Sequence, residues 1–175
     1  LNLACAAHFL DFGHALIYQS KVFDLLERVG WEHADALLGA HVYGITTGTR
    51  EDVLPSWAGF RRRMADIDLA ALDSRERNGV LPVESLVDLE GPAAFRVVTE
   101  TDAPLDAILA ALSRAAAERL LRFDVAIDGR DDVQEDWLDV THRLTYVEAV
   151  RRVLTTWRDP RRWRLLLFAS HFVAG

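Results

Sequence analysis

Apolar residues recur along the chain at three- and four-residue spacing, and strict alternation is absent, so the hydrophobic pattern is that of helices. Leu16, Val22, Phe23, Leu25, Leu26 and Val29, with Gly30 as a stop, predict an amphipathic helix over about 13–29, and a second follows over about 32–43. Turn-forming residues then dominate 44–52, and Pro55 and Gly59 extend the irregular stretch. Between about 60 and 100 the pattern predicts short helices and loops, one helix near 64–73, and turns at Asn78-Gly79, Pro82 and Gly91-Pro92. Asp102 as N-cap and Pro104 in the first turn predict a long helix through Leu105, Ile108, Leu112, Ala116 and Leu121. After the break at Asp128-Gly129, two more helices are expected, over about 139–156 and 160–173. The expected fold is an all-α helical bundle.

The chain also repeats itself. Shifting residues 9–26 by 128 positions lays them on 137–154, and seven of the eighteen pairs are identical, among them Asp11/Asp139, His14/His142 and Tyr18/Tyr146. Apolar coincidences at helical spacing are common, whereas polar ones are not. Leu38-Gly39-Ala40-His41-Val42 resembles Ala169-Ser170-His171-Phe172, so the repeated unit is a helix hairpin with a His near the start of one helix and another near the end of the next. The repeat halves span about 9–43 and 137–173, joined by 44–136, within a single helical domain over 1–175. The opening Ala6-Ala7-His8-Phe9-Leu10 echoes the same helix end, and the chain begins in an apolar run without Met, so a piece of a longer polypeptide is expected.

Composition narrows the chemistry. Half of the residues are apolar and 27% are charged, no apolar run reaches the length of a spanning helix, and the start lacks the basic region of a signal peptide, so a soluble, cytoplasmic protein is expected. A net charge of −7 argues against nucleic acid, despite basic clusters at Arg61–Arg63 and Arg161–Arg164. Cys5 is the single cysteine, which excludes a Rieske or ferredoxin centre on this chain and any cysteine zinc cluster. A metal here must be held by nitrogen and oxygen.

Histidine placement supplies the candidates. On a helix, Asp11, His14, Tyr18 and Lys21 would share one face, as would Asp139, His142 and Tyr146 in the second copy, and a carboxylate three residues before a His on two helices is how metal sites are built inside bundles. The repeat makes His14 and His142 the candidate ligands, each paired with a His on the neighbouring helix. His41 competes with His8 for one position, and Asp11 and Asp139 read equally as helix N-caps. Lys21 is the only lysine among twenty basic residues. On the His14 stripe it reads either as a partner of Asp24 or Glu27, or as a buried neutral amine able to form a carbamate with carbon dioxide and so become an oxygen ligand. Imidazole suits iron, zinc, copper or nickel, and a mixed imidazole and oxygen shell with an open position suits non-haem iron.

At Gly13-His14-Ala15-Leu16-Ile17-Tyr18-Gln19-Ser20-Lys21, Thr49-Arg50-Glu51-Asp52-Val53-Leu54-Pro55 and Trp137-Leu138-Asp139-Val140-Thr141-His142-Arg143-Leu144-Thr145-Tyr146, the sequence resembles a bacterial helical family whose members are often fused to a Rieske-type ferredoxin domain. That resemblance implies a redox role with a Rieske-type or other electron donor as partner. More distantly, His-rich helices with one lysine are similar to questin-oxidase-like proteins, which implies non-haem iron held by His8, His14, His142 and His171 with carboxylated Lys21. The function expected is a metal-dependent oxidoreductase, an iron oxygenase acting on an aromatic or polyketide-like small molecule. The alternative is a non-catalytic helical scaffold or interaction domain of a Rieske-linked system. The partners expected are the small-molecule substrate, the electron donor and further copies of the chain in a homo-oligomer, with no nucleic acid and no membrane.

Overall fold

A computed structural model describes residues 1–133 and 136–174. Among them the regular structure is helical, with one isolated β-bridge between Leu10 and Arg50. In chain order the helices are α1 (Asn2–Ala7), α2 (His14–Val29), α3 (Ala34–Thr47), α4 (Ala58–Ala65), α5 (Leu69–Ser74), α6 (Gly91–Glu100), α7 (Leu105–Arg122), α8 (Trp137–Thr156) and α9 (Arg162–Ala174). None is long and apolar enough to cross a membrane.

The centre of the bundle is α9. Its apolar residues surround the helix, which marks a helix covered on all sides, and Leu165, Leu166, Leu167, Phe168, Ala169 and Ser170 are fully buried. α6, α7, α8, α1 and α5 pack around it. Its start is anchored on α5, where one Asp73 oxygen accepts from both Arg162 Nε and Trp163 Nε1 at 2.9 Å. Aromatic rings extend the core beside it: Phe9 stacks on Trp57 with centroids 4.7 Å apart, and Tyr146 meets Phe9 edge-on at 5.2 Å.

Arginine closes the gaps between the helices. Arg164 donates to the carbonyls of Ala6 and Ala7 at the end of α1, Arg61 to those of Asp52 and Leu54, and Arg77 to those of Leu72, Thr101 and Ala103. A planar fork of five donors can satisfy two or three carbonyls left over at helix ends, which a lysine ammonium does less well. The basic clusters at 61–63 and 161–164 are thus partly internal fasteners.

Several boundaries differ from those the pattern predicts. α3 continues through Gly44-Ile45-Thr46-Thr47, because both threonine hydroxyls donate back to the Tyr43 carbonyl at 2.9 Å and keep their turn-forming oxygens inside the helix. Gly91-Pro92 opens α6 instead of making a turn, since a proline in the first helical turn gives up no hydrogen bond. α7 is capped by Pro104 and not by Asp102, which lies beside Gly79.

The repeat is visible as contact. His14 meets His142, and Asp24 forms an ion pair with Arg152, so two positions of α2 each touch the residue 128 places later on α8. Ten residues of helix span about 15 Å. Only helices that run parallel and in register allow both contacts, because an antiparallel pair would carry the second couple far apart.

The chain between α1 and α2 turns on Gly13, at φ 86°, and a Cβ there would lie 2.3 Å from the Tyr146 ring. Gly39, inside α3, has open space around it. Gly13→Ala is expected to lower stability by at least about 2 kcal/mol, from positive φ and steric overlap with a buried ring. Gly39→Ala is expected to raise it by about 0.5–1 kcal/mol. Urea denaturation of the two variants checks both signs.

Candidate functional site

The site is built on a left-handed turn. Asp11, Phe12 and Gly13 have φ of 46°, 54° and 86°, and each non-glycine residue held there costs on the order of 1–2 kcal/mol. The segment 48–52 holds it in place. The Asp11 amide donates to the Thr49 carbonyl at 3.0 Å, the Thr49 amide donates to Asp11 Oδ1 at 2.6 Å, and the Glu51 amide donates to the Phe9 carbonyl at 3.1 Å. The Phe12 amide donates to Glu51 Oε2 at 3.0 Å. Gly48 is required beside this clamp, because a Cβ would stand 2.7 Å from Asp11 Oδ2.

The turn decides which residues reach the site. α2 starts only at His14, so Asp11 lies before the helix and not on its face with His14, Tyr18 and Lys21. In the second copy α8 starts at Trp137 and includes Asp139, whose carboxylate accepts from the Asp136 amide while Asp136 accepts from the Asp139 amide, a reciprocal capping box. The two aspartates thus have different structural roles, and neither is an N-cap.

His14 and His142 face one another with Nε2 atoms 2.7 Å apart and ring planes at 84°. His142 Nδ1 lies against the Leu138 carbonyl one turn back. A carbonyl can only accept, so Nδ1 of His142 carries a proton, and Nε2 is the nitrogen left to accept from His14 Nε2. Burial, with the neighbouring His142 adding to it and Asp11 opposing, holds His14 below the usual histidine range, so its ring is neutral at physiological pH. Tyr18 stacks on His14 with centroids 5.0 Å apart and planes within 8°.

Beside the pair, between α2 and α3, lies a cavity of about 390 Å³. Val22, Leu37, Ala40 and Ile45 give it apolar walls, and Asp11, His14, Tyr18 and His41 bring polar groups to it. His41 is buried, and its Nε2 has no hydrogen-bond partner among the described residues.

Of the five residues expected to hold a metal, the structure brings His14 and His142 together. His8 stands 3.9 Å from Asp52 and borders a separate cavity with Arg50 and Arg164. His171 packs between the rings of Trp57 and Phe60, and burial, with Arg63 adding to it, pushes it down to about 4. A Cβ on Gly91 would meet His171 Nδ1, so that imidazole fills a helix contact. Lys21 is exposed on α2, its Cα about 10 Å along the helix axis from that of His14. Among the described residues no group of three or more His, Cys, Asp or Glu is placed to hold a metal ion. The His14–His142 pair, joined as it stands by a hydrogen bond from His14 Nε2 to His142 Nε2, still fits as two of its ligands once the His14 proton sits on Nδ1: nitrogens 2.7 Å apart approach the roughly 2.9 Å between neighbouring ligands about 2.05 Å from one metal, and a backbone carbonyl on the far nitrogen of His142 is the usual orienting contact.

Glu51 escapes the sequence reading, where it falls in a turn segment. Burial, opposed by the Phe12 amide and reinforced by Asp11 and Asp52, raises its carboxyl from the ordinary 4.5 to about 7. Between those two values the folded state holds a proton that the unfolded state has released, so stability falls as pH rises from about 5 to about 7 and then levels off. Glu51→Gln keeps an acceptor for Phe12 and removes the charge. It is expected to match the parent protein near pH 5 and to exceed it by about 2 kcal/mol at pH 8. Urea denaturation at the two pH values checks this, and parallel stability profiles would refute it.

No protein-family model, curated protein or solved structure matches the chain, so the functional reading rests on these side chains.

Proposed function

We propose that this chain is a metal-dependent oxidoreductase, a non-haem iron oxygenase acting on an aromatic or polyketide-like small molecule, with His14 and His142 as nitrogen ligands. The observation that carries the reading is the pair itself: two imidazoles from equivalent positions of parallel helices, nitrogen to nitrogen at 2.7 Å, beside an apolar cavity. Such a pair has an ordinary alternative as a hydrogen bond. The oriented His142 ring and the position beside a ligand-sized space favour the functional reading.

When bound, iron supplies one-electron and dioxygen chemistry that amino-acid side chains lack. The chain's own residues do the rest. The Leu138 carbonyl keeps the His142 proton on Nδ1, Tyr18 stacks against the His14 ring, and the clamped Asp11–Gly13 turn sets where α2 begins. Val22, Leu37 and Ile45 give the cavity the apolar wall that would receive an apolar substrate. Electrons would come from a Rieske-type or other donor, the partner that the family resemblance implies.

A second reading, a non-catalytic interaction domain, is favoured by the bare outer face of α3, where Tyr43 is 70% and Val42 44% exposed. Metal analysis of protein purified without an affinity tag and loaded anaerobically with ferrous iron separates the two. About one equivalent of iron is expected in the parent protein and in Lys21→Arg, and below about 0.2 in His14→Ala and His142→Ala. A parent protein that keeps less than about 0.2 equivalents of any transition metal, with stability unchanged by chelators, leaves the interaction domain as the reading.

A further inference from the structure

We infer that the cavity between the end of α1, the segment 50–52, α4 and α9 is a second ligand site, which takes the phosphate group of a small phosphate monoester on Arg50, Arg61 and Arg164. The site is independent of the metal reading, because it shares no lining residue with the cavity beside His14 and His142.

The space measures about 350 Å³, within the range of small-ligand sites. Its charge sets it apart in a chain whose net charge is −7: three guanidinium groups line it against one carboxylate, that of Asp52. Asp52 is buried and turned to Arg50, whose Nε and Nη2 donate to its two oxygens at 3.3 and 2.7 Å. An excess of two positive charges remains. Glu51, the neighbour of Asp52 in the chain, accepts from the Phe12 amide instead and does not line the cavity.

Each guanidinium is held in place by part of its fork and keeps a donor free. Arg164 uses Nε and Nη2 on the carbonyls of Ala6 and Ala7, at 2.6 and 3.2 Å, and its Nη1 has no partner among the described residues. That nitrogen is also open: Arg162 Nη1 and Arg63 Nε are unpaired and shielded from solvent, whereas no nitrogen of Arg164 is. Arg61 engages the Asp52 and Leu54 carbonyls through Nη1 alone, which leaves Nε and Nη2. Arg50, its side chain 44% exposed, keeps Nη1. Forks anchored in this way lose little freedom when a ligand arrives. Burial lowers the Arg164 pKa, so an anion beside it offsets the cost of enclosing a cation.

The number and placement of the donors select the anion. A phosphate monoester carries about −1.5 to −2 charges near pH 7 and three strong acceptor oxygens, which match the charge excess and donors arriving from three separate elements. A carboxylate brings a single charge and two oxygens, too few for three forks. Met64 and Phe168 in the wall offer apolar contact to the organic part of the ester.

Isothermal titration of the untagged chain in low-salt, phosphate-free buffer tests this with butyl phosphate, inorganic phosphate and butyrate. Butyl phosphate is expected to bind one to one, about tenfold or more tighter than butyrate, and to weaken as salt is added. Inorganic phosphate should compete with it for the same site. Arg50→Gln and Arg61→Gln should each weaken butyl phosphate about tenfold. Arg130→Gln, which removes an exposed arginine that does not line the cavity, should leave the affinity unchanged. No binding of butyl phosphate to the parent protein, butyrate bound as tightly, or unchanged affinity in both Arg50→Gln and Arg61→Gln each overturns the inference. The comparison of probes in the parent protein needs no variant, so it stays decisive if either substitution fails to fold.

Discussion

The Tyr146 ring occupies the place where a Cβ on Gly13 would stand, and this close approach governs the site. It lets the chain between α1 and α2 turn left-handed through Asp11, Phe12 and Gly13 while lying directly on α8. The consequence is that α2 begins at His14 and presents that side chain to His142. Backbone strain of this kind persists only where surrounding contacts over-determine it. Here the segment 48–52 supplies four hydrogen bonds to Phe9, Asp11 and Phe12, with Glu51 buried among them. Burial favours the uncharged state of that carboxyl, which ties the stability of the fold around the turn to pH.

Around this turn, the two halves of the repeat have diverged in a way that separates structure from chemistry. Both keep Asp, His and Tyr at matching positions, and the matching histidines meet because α2 and α8 run parallel in register. In the second half Asp139 closes a capping box and Tyr146 is buried in the aromatic core. In the first, Asp11 and Tyr18 border the cavity instead, with Tyr18 54% exposed. The hairpin partners diverge as well: α9 is enclosed by five helices, whereas α3 packs mainly on α2 and leaves room for the cavity that His41 borders. One copy forms the core, and the other carries the candidate site.

The helices and their apolar faces were legible in the chain because three- and four-residue periodicity is a local property. The repeat that matches His14 with His142 was legible too, since polar identities at a fixed offset are rare. Asp11 on the face of α2, and a ligand role for Lys21, followed from carrying the helix one turn too far towards the N-terminus or from treating a stripe as buried along its whole length. Glu51 left no pattern, because its role depends on a backbone clamp that joins residues about forty positions apart. His41 was open between alternatives, and only the packing of α3 on α2 isolates its Nε2.

By itself, then, the sequence determined an all-α bundle with a duplicated, histidine-bearing hairpin, because composition and periodicity act within a few turns of chain. Tertiary structure alone decided that equivalent histidines touch, that His8, Lys21 and His171 have other surroundings, and that a cavity opens beside the pair. Those outcomes depend on the direction in which helices pack and on one left-handed turn. Both are set by contacts between residues that are distant in the chain, with Tyr146 against Gly13 first among them.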